Sequence, residues 1–239
     1  MYKQSQLENI LFVDIETASV VQTYDDLPER MQGLWDKKSR RYANQEPDMN
    51  PSELFGAKAG IHAEFARVVC ISAGYLTFNE EGIPEITLKS YCGPDEYQVL
   101  EDFGKMLDKY TAAKPGRNLC AHNGKEFDFP FLGRRYLIHG LRVPYVLSTQ
   151  GKKPWEVSFI DTMELWKFGD YKAYTSLDLL TAVLGIPSPK DDIDGSQVGK
   201  VFWEEKDYDR IQVYCEKDVK VTAQVLLRMS RFPLIPEEA

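Results

Sequence analysis

Apolar positions alternate between two spacings along this chain. Ile10, Leu11, Phe12, Val13 and Ile15 are apolar on both faces of an extended segment, so residues 9–15 read as a central strand covered on both sides. The pattern then breaks. Residues 20–65 carry Pro28, Pro47, Pro51 and many charges, with short helices expected near 28–41 and 51–58, and read as an insertion folded over the sheet. Periodicity returns at 67–78, a second strand. The turn residues Asn79-Glu80-Glu81-Gly82 then lead into a third strand at 85–92, completing a hairpin. Val99, Leu100, Phe103, Met106, Leu107 and Tyr110 have helical spacing over 95–113, and Pro115 with Gly116 stops the helix. A short strand at 117–122 ends at His122-Asn123-Gly124, and a helix at about 128–139 is closed by Gly140. A strand near 156–160 leads into Asp161-Thr162, which caps another helix. Ser176 opens a helix through Leu177, Leu179, Leu180, Val183 and Leu184, closed by Gly185 and Pro187. After a polar loop at 188–199, a long helix covers about 207–230. A strand, an insertion, a hairpin and then alternating helices and strands predict an α/β sandwich with a mixed sheet, one domain over 1–239.

Composition narrows this little. A hydrophobic content of 43% is enough for a core. No apolar run approaches the ~18 residues of a membrane span, and the first residues lack a secretory pattern. Of the four cysteines, Cys70, Cys92, Cys120 and Cys215, no two form a C-x-x-C pair, so neither a zinc site nor a redox motif is expected. Three sit in apolar segments and read as small core residues of a protein in the reducing cytoplasm. The formal charge of −8 argues on its face against nucleic acid. Local basic groups run the other way: Lys37-Lys38 with Arg40-Arg41, Arg134-Arg135, and Lys152-Lys153. Each is either solvated surface or part of a rim for an anionic strand.

Carboxylates placed where burial is expected carry the chemistry. Asp14 and Glu16 are two apart at a strand end. Period two puts them on one face, roughly 6.6 Å apart, continuing Ile10 and Phe12 toward the interior. A D-x-E pair alone also fits a strand end that turns to solvent. Asp128 lies at a strand-to-helix junction, where a helix N-cap is the plainer reading, and Asn123 is placed to hold the loop before it. Tyr214 and Asp218 share a helical face, with Cβ atoms about 5–6 Å apart. They lie on a stripe with Ile211, Cys215, Val221, Thr222 and Val225, where an acid needs a partner or is a satisfied core aspartate. Converging, four such acids would form a site for hard divalent metals and phosphoryl chemistry.

Taken in order, Phe12-Val13-Asp14-Ile15-Glu16-Thr17, Asn123 through Phe127-Asp128, and Tyr214-Cys215-Glu216-Lys217-Asp218 closely resemble the three motifs of the DEDD 3′–5′ exonucleases. The tyrosine places the resemblance in the DEDDy branch. With Asp194-Gly195-Ser196-Gln197-Val198, it is similar to predicted bacterial exonucleases related to the proofreading domain of family-B DNA polymerases. The resemblance covers essentially the whole chain except 20–65, and no polymerase domain is expected in 239 residues.

The resemblance implies a ribonuclease H-like fold and hydrolysis of phosphodiesters with two Mg²⁺ or Mn²⁺ ions. Asp14 would bridge both ions, Glu16 and Asp218 would complete one site, and Asp128 would hold the other. Tyr214, whose phenol has an ordinary pKa near ~10, would orient the attacking water rather than deprotonate it. Thr17, Asn123 and Phe127 would contact substrate. Phe129 is a second candidate for base stacking and fits a core position equally. Asp161 reads as a helix N-cap and His122 as a loop or core histidine. The implied partner is a single-stranded 3′ end, DNA ahead of RNA, in DNA repair; no membrane is implied. The competing readings are an RNA 3′-end trimmer and a non-catalytic binding module on the same fold. The loss of one carboxylate would have favoured the module, but all four are present.

Overall fold

In the computed structural model, which describes residues 2–170, 172–187 and 192–236, helix α1 (Gln4–Leu7) leads into strand β1 (Ile10–Ser19). The insertion follows, with helices α2 (Glu29–Ser39) and α3 (Pro51–Lys58). α3 starts where the sequence says it should. Asn50 accepts from the backbone N–H groups of Ser52 and Glu53, Glu53 bonds back to Asn50, and Pro51 takes the first helical position. The insertion has its own small core of Leu27, Trp35, Tyr42, Leu54, Phe55, Ala59 and Phe65. The indole of Trp35 donates to the Pro51 carbonyl at 2.8 Å. The neck of the insertion is closed by Val20 N–H donating to the Phe65 carbonyl at 2.9 Å.

Strands β2 (Ala66–Phe78) and β3 (Pro84–Cys92) form the expected hairpin, followed by α4 (Glu96–Ala113), β4 (Asn118–Ala121) and α5 (Asp128–Ile138). The chain continues through β5 (Ile160–Asp161), α6 (Thr162–Lys167), α7 (Leu177–Leu184), α8 (Val198–Lys200), a π-helical turn at Val201–Glu205, and α9 (Tyr208–Met229). The sheet order is β3-β2-β1-β4-β5. β2 is antiparallel to both its neighbours, while β4 is parallel to β1 and β5 to β4. A mixed sheet in this order with helices on both faces is a ribonuclease H-like α/β fold.

The central strand sorts its side chains by alternation. Leu11, Val13 and Ile15 pack with Val99, Leu100 and Phe103 of α4 and with Phe131, Leu132 and Tyr136 of α5. Ile10 and Phe12 pack on the other face with Val219, Ala223, Leu226 and Leu227 of α9. Asp14 and Glu16 belong to this second set by parity, so they extend toward α9.

Several expectations are corrected. The strand expected at 156–160 is only Ile160–Asp161, because β4 is four residues long and just two of its residues pair with β5. Of the loop expected at 188–199, residues 188–191 lie outside the described residues. Its end is helical: Val198, Val201 and Phe202 are buried against Ile211 and Cys215. Cys70 and Cys92 are not separate core thiols. The hairpin register sets them opposite each other and they form a disulfide. Cys120 and Cys215 are buried and free. Among the described residues no helix is long and apolar enough to cross a membrane.

Candidate metal centre

β4 pairs with β1 only as far as Phe12. Beyond that point this edge of β1 is open, and a side chain replaces the missing ladder. Asp128 accepts from the Ile15 N–H at 3.2 Å. Asp128 is the first residue of α5, whose N-cap position is Phe127 and carries no side-chain cap bond. The carboxylate is therefore turned to β1 instead of capping its own helix.

The loop that delivers Asp128 is held largely by backbone. Asn123 adopts a left-handed conformation (φ 62) that asparagine tolerates, and its carbonyl accepts from the N–H groups of Glu126 and Phe127. Its side-chain oxygen is buried and accepts no bond among the described residues, which corrects the expectation that the side chain would hold the loop. That work falls to Asp161. Its carboxylate accepts from Asn123 N–H at 2.9 Å and Lys125 N–H at 3.1 Å, as well as capping α6 through Met163 N–H at 3.0 Å. Gly124 is required by crowding. A Cβ there would lie 2.3 Å from that of Ala121 and 3.5 Å from Asp128 Oδ2.

α9 supplies the remaining members. It comes down on the sheet at Gly74, where an added Cβ would meet Leu88 at 2.7 Å and Val219 at 3.1 Å. Asp218 immediately precedes Val219. Tyr214 packs against the cluster containing Ala18, Val69 and Cys215. Cys215, three residues before Asp218, donates to the Asp14 carbonyl and to Asp14 Oδ2, both at 3.4 Å. Across the strand pair, Ser72 is the register partner of Asp14. Ser72 bonds Ser90 at 2.8 Å, and Ser90 donates to Glu216 at 2.6 Å. Sequence reasoning placed Cys215 on the inward stripe and assigned it no role. Its i, i−3 relation to Asp218 was the available signal. Ser72, the one hydroxyl among the buried residues of β2, was a second.

The four acids predicted from sequence act on one another. Glu16 and Asp128 are buried and Asp14 is half-buried. Burial, and then the charges of Asp128, Glu16 and Asp218, push the Asp14 carboxyl well above the usual range. Burial followed by Asp218 and Asp128 does the same for Glu16. Burial raises Asp128 to about 7, against the lowering effect of backbone hydrogen bonds that include Ile15 N–H. The charges acting most strongly on Asp14 are all negative, and a cation supplied from outside would relieve them. Oxygens of Asp14 and Glu16 and the sulfur of Cys215 lie within 4.8 Å of one another, close enough to share one ion. Burial and the neighbouring acids keep Cys215 a neutral thiol. The ionisable donors are then oxygens, and the set fits hard divalent ions.

The other predicted residues divide. The Thr17 hydroxyl donates to the Gly60 carbonyl at 2.8 Å and so ties the insertion to the end of β1. Phe127 is partly buried and packs at a tilt against Phe131, whereas Phe129 is a core residue packed on Phe159. His122 is a structural histidine between the Thr162 hydroxyl and the Thr175 carbonyl, both at 2.9 Å. Arg135, expected on a basic rim, is buried and forks onto Glu96 at 2.7 and 2.6 Å, so it is removed from that rim. Lys37, Arg40, Arg41 and Arg134 are exposed and Lys38 is half-buried. Lys38 and Arg134 both act on Glu64, so the insertion and α5 share a basic border.

No curated protein matches the sequence. Among solved structures, the chain is similar to the family B DNA polymerase from the hyperthermophilic archaeon Pyrobaculum calidifontis, with a TM-score of 0.49 and 16% identity. The match covers 92% of this chain and 24% of the polymerase, so the chain spans about a quarter of that protein. A family model described as a predicted 3′–5′ exonuclease related to the exonuclease domain of PolB matches residues 60–233. That span takes in the second and third acidic motifs and most of the sheet, and the chain belongs to this family of predicted PolB-related 3′–5′ exonucleases.

Proposed function

We propose that the chain is a single exonuclease domain that hydrolyses phosphodiester bonds at the 3′ ends of single-stranded nucleic acid, DNA ahead of RNA. The observation that carries this reading is the gathering of four carboxylates from β1, α5 and α9 at the open edge of β1, where the charges of Asp128 and Asp218 raise both Asp14 and Glu16. Asp14, Glu16, Asp128 and Asp218 would hold two divalent ions, Mg²⁺ or Mn²⁺. Bound there, such ions supply Lewis-acid stabilisation of the charge that develops during in-line displacement at phosphorus. The chain's own part is to fix the donors. Ile15 N–H holds Asp128, the Cys215 thiol holds Asp14, and Asp161 shapes the loop that carries Asp128. Tyr214 presents its hydroxyl one helical turn from Asp218 to orient the attacking water, and its ring stays packed on the stripe.

The test uses single-stranded DNA and RNA of matched sequence, labelled at either end, with Mg²⁺, Mn²⁺ or EDTA. A 5′ label should give a ladder shortening from the 3′ end, in DNA before RNA, only with metal. Asp14→Ala should lower the rate by at least ~10³-fold, since such a donor serves the transition state by several kcal/mol. Near-wild-type turnover in Asp14→Ala would sink the assignment.

A further inference from the structure

A cleft of about 510 Å³ opens at Thr17, Ala18 and Ser19, the residues that follow Glu16 on β1. The volume is in the range of small-ligand sites. One wall belongs to the insertion, through Gly56, Lys58 and Gly60, and the opposite wall to the segment around α8, through Gly199, Lys200 and Trp203. The two lysines therefore face the cleft from different elements. Among the described residues Lys58 pairs with the part-exposed Glu46 at 3.4 Å, a kind of contact that exchanges at little cost. Lys200 is exposed.

The walls are also open. A Cβ added at Gly56, Gly195 or Gly199 meets nothing within 4 Å, and none of the three has a positive φ. A glycine that neither strain nor crowding demands leaves room for something else. The Asp194–Val198 run has no part in the carboxylate cluster, and it lines this wall. Asp194 accepts from Ser196 N–H at 2.8 Å, and Gln197 accepts from Asp194 N–H at 2.9 Å, which sets Gly195 and Ser196 against the cleft. Trp203 is fixed by donating to the Ser19 carbonyl at 3.2 Å and by an edge contact with Phe202. Glu204 is the one acid on the lining.

We infer that this cleft binds one unpaired nucleotide of the substrate strand, beside the scissile position, and that the 20–65 insertion exists to supply its outer wall. The chemistry matches on each count: lysines for a phosphate, hydroxyls and backbone for the sugar, and a pinned indole for a base. The inference rests on the exonuclease reading for its placement, but not for its test.

The test is binding in EDTA, where no hydrolysis occurs, using 5′-labelled oligothymidylate and oligouridylate and fluorescence anisotropy. Gly199→Phe and Gly56→Phe fill the cleft at positions with free space, so both should fold with an unchanged melting temperature. Each should weaken oligothymidylate binding by roughly ten-fold or more, the scale of one stacked base. Lys200→Glu should flatten the salt dependence by about 0.7 for each phosphate the side chain no longer neutralises. Wild-type affinity in both folded phenylalanine variants overturns the inference, as does a wild-type chain that binds neither oligonucleotide. Cleft-dependent binding without hydrolysis by the wild type removes the exonuclease reading and leaves the cleft. Hydrolysis that survives a filled cleft does the reverse.

Discussion

Glu96, at the first turn of α4, is 3% exposed and meets the fork of Arg135, itself 4% exposed, with Val68 N–H at 2.8 Å and His139 at 2.8 Å completing its shell. Asp14, Glu16 and Asp128 lie at the open edge of β1, and the strongest charges on Asp14 are those of other acids. The same fold thus holds two sets of buried or half-buried carboxylates. In one, the fold supplies the cation. The Glu96–Arg135 pair fastens α4 to α5, and Arg135 also donates to the Ala63 carbonyl at 2.8 Å, which anchors the far end of the insertion. In the other, the charges that act most strongly on Asp14 are those of Asp128, Glu16 and Asp218. A set that holds its own cation closes a structure, whereas acids that repel one another favour a cation from solution.

The sharpest way to break this contrast is to remove the internal cation. Arg135→Ala leaves Glu96 buried with its main counter-charge gone and should destabilise the chain by about 3–5 kcal/mol in urea unfolding. The double variant Arg135→Met with Glu96→Gln should recover part of that loss, because the amide oxygen still accepts from Val68 N–H. A harmless Arg135→Ala would mean that the pair contributes little. On the other side of the comparison, Tyr214→Phe should fold normally and bind metal normally while losing roughly 10- to 10³-fold in turnover, the range of one positioning contact. If it also abolishes the acidic limb of the pH–rate profile, the tyrosine is the titrating base and its assigned role is wrong.

Acid should move the two sets in opposite directions. Burial pushes Glu96 up, but the hydrogen bond and charge of Arg135, with His139 and Val68 N–H, outweigh it and hold the carboxyl below its ordinary value of 4.5. Its contribution is complete above that value and is lost as pH falls through the lowered one. Asp128 is raised to about 7 from 3.8, so the folded, metal-free chain binds the proton first. It gains stability as pH falls from about 7 toward 4, and Asp128→Asn should flatten that part of the profile. Denaturation curves in EDTA across this window check the sign. A metal-free wild type that loses stability steadily from pH 7 to 5, with Asp128→Asn following it, would contradict the assignment.

Much of this was legible before the fold was known. α3, α4 and α9 fall within a residue or so of their expected limits because each begins at a capping side chain, Asn50, Asp95 or Asp207, and because α4 and α9 carry a clear apolar stripe. The four acids stood out in the sequence because each lies where the apolar pattern predicts burial. Features that depend on a partner remote in sequence were harder to read. Helical spacing from Phe131 and Leu132 puts Arg135 on the buried face of α5, but the acid that receives it there, Glu96, lies 39 residues earlier. The brevity of β5 is set by β4. The Cys70–Cys92 bridge follows from the hairpin register, which is set by a loop at 79–83; counting back from a turn at 79–82 would have set Cys70 opposite Tyr91. Asp161 was read correctly as a cap, yet its grip on the 123–125 turn needs the two strand ends side by side.

The central claim is that the Asp14 cluster takes its counter-charge from solution. Titration of the metal-free chain with Mn²⁺, followed by calorimetry and by the resonance signal of the free ion, tests it without substrate or turnover. The account predicts saturable binding that raises the melting temperature of the wild type, is lost in Asp14→Ala, and is unchanged in Gly199→Phe. A wild type that binds no Mn²⁺ at millimolar concentration, or an Asp14→Ala variant that binds it equally well, would contradict the account.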